Sequence, residues 1–463
     1  MIQAAKILEQ RSHLVPGKLR ITEHFFQVPR DHSNPSLGTI QLFARSARKI
    51  TKPADHSPTS DADPSKTQLP WLLYLQGGPG FECASPQNSA WSSFLLDKGY
   101  QILAMDQRGT GLSTAISQSS LQLRGDETVQ AEYLKSFRAD SIVKDAEAIR
   151  KALTTDYPEE KKKWSIMGQS FGGFCCTTYL SFYPEGVKEA FLFGGLPPLR
   201  DGPDEVYERV YPRVERRNQE YYAKYPEDVE RVRKIVKFLG RFGDETVRVQ
   251  GGEGHLSAAR FLQLGINFGA HGRFDTVHDL VLRANNDLTL FGHLTRPTVL
   301  HIERSQSWDT NVLYALLHEA CYAQGPPTAW SAHRLLNRFP FFDHNTRMVS
   351  PAAPVFFTGE MIYPFMFDVY PELKKLKAVG ELLAQTTWGK LYDVEQLQRN
   401  EVPVYAAAYF DDMYVDFDLS METARTIRGC KTYVTNAMYH NAVSAKADEV
   451  LKAVFELRDD VID

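Results

Sequence analysis

Residues 164–179 read Trp164-Ser-Ile-Met-Gly-Gln-Ser-Phe-Gly-Gly-Phe-Cys-Cys-Thr-Thr-Tyr179, and this stretch decides the fold. The apolar run Trp164 to Met167 predicts a buried strand, Gly168 to Gly172 a turn, and the residues beyond it a helix. A serine between two glycines at such a junction is the pattern of a nucleophile elbow. The turn is so sharp that the serine is strained, and only glycine at 168 and 172 lets strand and helix come close enough. That strain is expected to hold the Ser170 hydroxyl clear of the backbone, where a histidine and a substrate carbonyl both reach it. The competing reading is a chance Gly-x-Ser-x-Gly in a loop, and the flanking strand and helix weigh against it.

Working outward, Pro70-Trp-Leu-Leu-Tyr-Leu75 is apolar without interruption and predicts a strand buried on both faces. Gln76-Gly77-Gly78-Pro79-Gly80-Phe81 follows it directly. Glycines there let main-chain N–H groups point into a site with no Cβ in the way, so Gly78 or Gly77 is a candidate second oxyanion donor beside the amide of Phe171. The next strand, Tyr100 to Met105, ends in Asp106-Gln-Arg-Gly-Thr-Gly-Leu-Ser113, where Asp106 and Arg108 are expected to brace the loop through a charge-assisted hydrogen bond. Apolar positions at helical spacing over 138–153 predict the helix before the elbow strand, and Ala190 to Phe193 a strand after it. This alternation means a parallel sheet wound with helices on both faces.

Upstream, Leu19 to Val28 and Thr39 to Ala44 predict two strands joined by the turn-rich Pro29–Pro35 segment as an edge hairpin. Residues 51–68 lack aromatics and predict a solvated loop. Across all 463 residues, 43% hydrophobic and 24% charged residues are ordinary for a globular chain, and a net charge of −4 leaves no basic excess for nucleic acid. No apolar run approaches the length of a bilayer span, and the first ten residues lack the apolar core of a secretory signal. Five cysteines, two of them adjacent at 175 and 176, read as reduced thiols, so a cytoplasmic location is expected.

Three motifs together, Gly77-Gly-Pro-Gly80, Asp106-Gln-Arg-Gly-Thr-Gly-Leu-Ser113 and Gly168-Gln-Ser-Phe-Gly-Gly173, resemble the proline iminopeptidases, serine peptidases of the α/β-hydrolase fold. The family's glycine-rich loop usually begins with histidine where this chain has Gln76, which leaves main-chain donors unchanged. The resemblance implies an α/β-hydrolase core in two parts, 1–200 and 401–463. It also implies a serine aminopeptidase that removes N-terminal proline from small peptides with a free N-terminus, without metal or cofactor. Homo-oligomerisation is left open.

Between the strand ending near Phe193 and the next core-like strand, Val402 to Phe410, lie roughly 200 residues, too many for a connection within a sheet. Residues 201–400 therefore predict a mainly helical cap. An aminopeptidase needs carboxylates there for the protonated α-amine and a small apolar pocket for the first side chain. Glu319, in His318-Glu-Ala-Cys-Tyr322, is similar to a family segment that supplies one, and Glu360, in an aromatic run, is a second candidate. A salt bridge with a cap arginine is the alternative for either.

In this fold the acid follows the strand after the cap and the histidine follows the last strand. Asp411-Asp412 ends the strand 403–410, and by the resemblance Asp412 is the acid, with Asp411 its competitor. His440 is the only histidine after that pair and follows the strand 431–435, completing the order Ser170, Asp412, His440. An amphipathic helix over 444–457 should close the chain. No histidine pair carries the spacing and glutamate of a zinc peptidase. The rivals are an esterase of the same fold and a catalytically inert hydrolase fold; an epoxide hydrolase is excluded by serine at the elbow.

Overall fold

A computed structural model describes residues 2–50, 68–241, 243, 247–248, 254–306, 308–350 and 352–460. The expected loop at 51–68 lies outside the described residues except for Gln68. Among the described residues nine strands form one sheet: β1 (Lys6–Val15), β2 (Leu19–Pro29), β3 (Thr39–Lys49), β4 (Trp71–Leu75), β5 (Gln101–Asp106), β6 (Trp164–Gln169), β7 (Val187–Phe193), β8 (Val404–Tyr409) and β9 (Cys430–Thr435). Their order is β1-β2-β3-β5-β4-β6-β7-β8-β9. The first three strands and the β3–β5 pair are antiparallel, and every pair from β5 through β9 is parallel.

The parallel strands hold together because both their faces are apolar. Along β6, Ile166 packs into the core cluster that also holds Leu73, Leu75 and the elbow helix Phe171–Phe182, while Met167 packs into the opposite cluster with Tyr74, Trp91 and Phe193. Phe191 stacks on Phe455 of the last helix with ring centroids 4.5 Å apart. Each such side chain, wholly withdrawn from water, contributes about 1.5–3 kcal/mol. The expected 444–457 helix is two pieces, Ala442–Ala445 and Ala447–Asp459, separated by Lys446 at φ −137°.

Between β7 and β8 the described residues carry helices and no strand longer than an isolated bridge, Arg248 to His255. The longest helix, Asp204–Lys224, presents Tyr211 and Tyr221 inward, and Tyr221 stacks against Phe268 at 4.7 Å. Core and insertion are joined through arginines, one buried and one half-buried. Arg138, at the start of the helix Ala139–Leu153, donates to the carbonyls of Ala320, Ala323 and Gly389 at 3.0, 2.6 and 2.8 Å and lies over Trp388. Arg213 bonds Asp416 at 2.5 Å and the Phe410 carbonyl at 2.9 Å.

The expected Asp106–Arg108 brace is corrected by the structure. Arg108 makes a bidentate pair with Asp145, at 2.6 and 2.7 Å, which His32 also contacts at 2.8 Å. Asp106 instead accepts the amides of Cys83 and Leu112, at 2.8 and 2.9 Å, and so pins the loops after β4 and β5 together. A fully buried guanidinium needs a fork-shaped partner that is equally buried, and Asp145 meets that condition while Asp106 is committed to main-chain donors.

Candidate active site

Ser170 stands between β6 and the elbow helix with φ 55° and ψ −127°, a conformation that costs a non-glycine residue about 1–3 kcal/mol. Two close approaches enforce it. A Cβ on Gly168 would lie 2.2 Å from the carbonyl oxygen of Gly172, and one on Gly172 would lie 2.0 Å from that of Leu75. Either side chain would push the helix off the sheet, so the glycines read from the sequence are required by packing.

Asp412 follows β8 and is 1% exposed. Its Oδ1 accepts the amides of Tyr414 and Val415, at 2.9 and 3.1 Å, and its Oδ2 accepts from His440 Nδ1 at 2.7 Å. The neighbouring Asp411 faces away and pairs with Arg216 at 3.1 Å. Of the two aspartates, then, Asp412 alone is hydrogen-bonded to His440. That bond leaves the proton of a neutral imidazole on Nδ1 and Nε2 as the basic nitrogen.

His440 and Ser170 flank the consecutive glycines after β7. A Cβ on Gly194 would sit 3.4 Å from His440 Nδ1, and one on Gly195 would sit 2.4 Å from the Ser170 carbonyl oxygen and 3.0 Å from its nitrogen. Among the described residues the Ser170 hydroxyl makes no hydrogen bond. In catalytic serine–histidine pairs the hydrogen bond is commonly long or poorly aligned until a substrate is present. The glycine-rich loop lies on the other side of the serine, since a Cβ on Gly77 would be 3.1 Å from Ser170 Cβ and 3.7 Å from its Oγ. The Phe171 amide opens a helix and has no acceptor within it, and no hydrogen bond from Gly78 is found among the described residues.

The two carboxylates of the insertion occupy different settings. Glu319 accepts the amides of Ser331 and Ala332 on its two oxygens, at 3.1 and 3.0 Å, and burial raises its pKa against those bonds. Glu360 accepts the Tyr314 hydroxyl on Oε1 and lies 3.7 Å from His318 Nε2, while no hydrogen bond to its Oε2 is found among the described residues. Burial alone would raise the Glu360 pKa, but His318, His440 and the Tyr314 hydroxyl outweigh it and hold it below the usual glutamate value. Burial likewise lowers the basicity of His440, yet the Asp412 carboxylate and, more weakly, Glu360 leave its pKa above the ordinary histidine value. Glu360 and His440 thus act on each other electrostatically, each favouring the charged form of the other.

Four neighbours of this site escape a reading of motifs. Tyr314 stacks on His318 with centroids 4.9 Å apart, His318 meets Tyr322 edge-on at 5.7 Å, and their spacing of four residues was the signal available. Tyr414 sets its ring edge-on to His440 at 4.7 Å, and its hydroxyl bonds the Ile266 carbonyl of the insertion. Elsewhere, Glu227, Asp228 and His278 lie close enough to share a cation, but Asp228 already accepts from Tyr221, His278 and Arg231, at 2.5, 2.9 and 3.1 Å.

A family model described as the alpha/beta hydrolase fold matches residues 70–238. The chain is 45% identical over 463 residues to the proline iminopeptidase aneH of Aspergillus aculeatus, covering 100% of this chain and 99% of that one. It is 38% identical over 452 residues to the proline iminopeptidase of Aeromonas sobria, covering 97% of this chain and 99% of that one. A solved proline iminopeptidase of Mycobacterium smegmatis aligns over 97% of both chains at 13% identity and a TM-score of 0.40, a likeness too loose to carry weight. Similarity at these levels from end to end, over an elbow built as described, establishes that the chain belongs to the proline iminopeptidase family of the α/β-hydrolase fold.

Proposed function

We propose that the chain is a serine aminopeptidase that releases proline from the free N-terminus of small peptides through an acyl-enzyme. The observation that carries this reading is the 2.7 Å Asp412–His440 bond set beside the elbow serine, in a chain matched end to end by proline iminopeptidases. His440 Nε2 takes the Ser170 proton as Oγ bonds to the carbonyl carbon of the first residue, and Asp412 steadies the imidazolium. The amides of Phe171 and Gly78, or Gly77 in its place, hold the oxyanion, where one donor is worth about 3–4 kcal/mol. On collapse the C–N bond breaks and His440 returns the proton to the leaving amine; water, deprotonated by the same imidazole, then releases proline and restores Ser170.

The α-amine of the substrate is assigned to Glu360, whose Oε2 has a place for an ammonium donor while Oε1 is held by Tyr314. Its depressed pKa keeps it anionic, as recognition of a cation requires. Glu319 serves the same pocket at second hand, as a carboxylate that fixes the segment at Ser331 and Ala332 and adds negative potential. Residues 201–400 are read as the cap that carries both. Five free cysteines fit a reducing compartment, and a cytoplasmic enzyme is the corresponding proposal; no helix among the described residues is long and apolar enough to cross a membrane.

The test is turnover of chromogenic aminoacyl amides of proline, alanine and leucine, with N-blocked proline as control, by the native chain and by Ser170→Ala. Fast release from free proline amide alone, abolished in the variant, is expected. Equal turnover of the blocked substrate would point to an esterase-like hydrolase, and full activity of Ser170→Ala would remove the acyl-enzyme.

A further inference from the structure

We infer that His271, a residue of the insertion, is a positioning residue for the imidazole of His440, so that the insertion completes the catalytic loop as well as covering it. This rests on the reading of His440 as the base.

The loop that carries His440 is gripped on both sides by one residue. The amide of Tyr439 donates to His271 Nε2 at 3.0 Å, and the amide of His271 donates to Asn441 Oδ1 at 2.9 Å. The residues immediately before and after His440 are thus tied to a single point. The His271 ring also meets the Tyr439 ring edge-on, with centroids 5.0 Å apart. Two further contacts come from the insertion: the Arg217 guanidinium lies 4.3 Å over the Tyr439 ring and reaches its hydroxyl at 3.2 Å, and Tyr414, edge-on to His440, is bonded to Ile266.

The core supplies little to replace this grip. His440 lies between β9, which ends at Thr435, and a helix of four residues starting at Ala442. Within the core, apart from the Asp412 contact to the imidazole itself, the loop's bonds run only to its near neighbours in sequence: the Ala437 amide to Thr435 Oγ1 at 3.1 Å, the Ala442 amide to the Tyr439 carbonyl at 2.9 Å, and the Ser444 and Ala445 amides to the Asn441 carbonyl at 2.9 and 3.0 Å. Asp412 orients the ring, but it does not fix where the backbone presents it.

The chemistry of His271 suits the task. To accept from the Tyr439 amide, Nε2 must be unprotonated, and burial together with the cations of Lys446 and Arg217 lowers the His271 pKa, opposed only by Glu449. The side chain is therefore a neutral acceptor with its proton on Nδ1. A general base displaced by about 1 Å loses on the order of a hundredfold in rate, and the loss falls on the chemical step more than on binding.

Steady-state kinetics on proline amide with His271→Phe and His271→Gln test the assignment. Phenylalanine keeps a ring but accepts nothing, whereas glutamine places an acceptor oxygen close to the position of Nε2. His271→Phe is expected to lower kcat by about ten- to a hundredfold with KM within about threefold, and His271→Gln to recover most of the loss. An unchanged kcat in His271→Phe, a KM effect without a kcat effect, or a glutamine variant as impaired as phenylalanine would overturn the proposal. Should His271→Phe fail to fold by circular dichroism, Asn441→Ala carries the same test, with a fall in kcat expected and native kcat overturning it. His440→Ala separates the two readings. If it retains turnover, the base assignment itself falls; if it is dead while His271→Phe is native, only the positioning role falls.

Discussion

The parallel half of the sheet and the insertion between β7 and β8 hold themselves together by different means. Strands β4 to β7 are buried on both faces and need little beyond near-continuous runs of apolar side chains. The insertion relies on aromatic stacks such as Tyr221–Phe268 and on buried arginines whose partners are carbonyl oxygens, as at Arg138 and Arg217. The sheet supplies an unspecific, redundant platform, and the insertion supplies single contacts with no substitute. The groups proposed for the reaction follow this division: Ser170 and Asp412 stand on strand ends, whereas Glu360 and the grip on the His440 loop come from the insertion.

The largest effect that would sharpen this contrast is at Asp412. Asp412→Asn can donate to Nδ1 and stabilises the wrong tautomer, so kcat is expected to drop by about 10³–10⁴, whereas Asp411→Asn should stay within about threefold. Similar losses in both variants, read from initial rates, would erase the distinction drawn between these neighbours. Next comes the junction of the two regions. Arg138→Met removes the guanidinium donors to the carbonyls of Ala320, Ala323 and Gly389, and a loss of about 2–4 kcal/mol in denaturant unfolding is expected. A native midpoint would mean that this cation does not tie the insertion to the core.

At Glu360 the contrast predicts a purely recognitive effect. Glu360→Gln should lower kcat/KM for free proline amide by about ten- to a hundredfold through loss of a charge-assisted bond. Native kcat/KM in that variant would leave the amine without its proposed partner. The smallest effect is on pH. His440 acts as a base only when neutral, so kcat/KM should rise with pH through a midpoint above the ordinary histidine value, against which burial works and which Asp412 and Glu360 produce. Removing the Glu360 charge should move that midpoint to lower pH; a move to higher pH would contradict the electrostatic account.

The legibility of the chain follows the same division. Strands buried on both faces announce themselves as unbroken apolar runs, so β4, β5, β6 and β8 were readable within a few residues. β1 was not, because it lies at the open edge of the sheet with nearly all its residues exposed, and a strand with no buried face carries no period-two signal. The elbow glycines were readable because steric necessity leaves no alternative residue. The partner of Arg108 was not, since Asp145 is 37 residues away in sequence and only the fold brings it closer than Asp106. In the insertion the carboxylates were visible as residue types, but which one keeps an oxygen available depends on Tyr314 and on the amides of Ser331 and Ala332. No local pattern records those contacts. The grip of His271 on the loop of His440 crosses 168 residues and belongs to the same class.

The most direct test is covalent. A serine-directed phosphonate should label the native chain once, with the adduct mapped by mass spectrometry to Ser170, and His440→Ala should slow that labelling severely while leaving the fold intact. An adduct on any other serine, or labelling of Ser170 at the native rate without the imidazole of residue 440, would contradict the site described here.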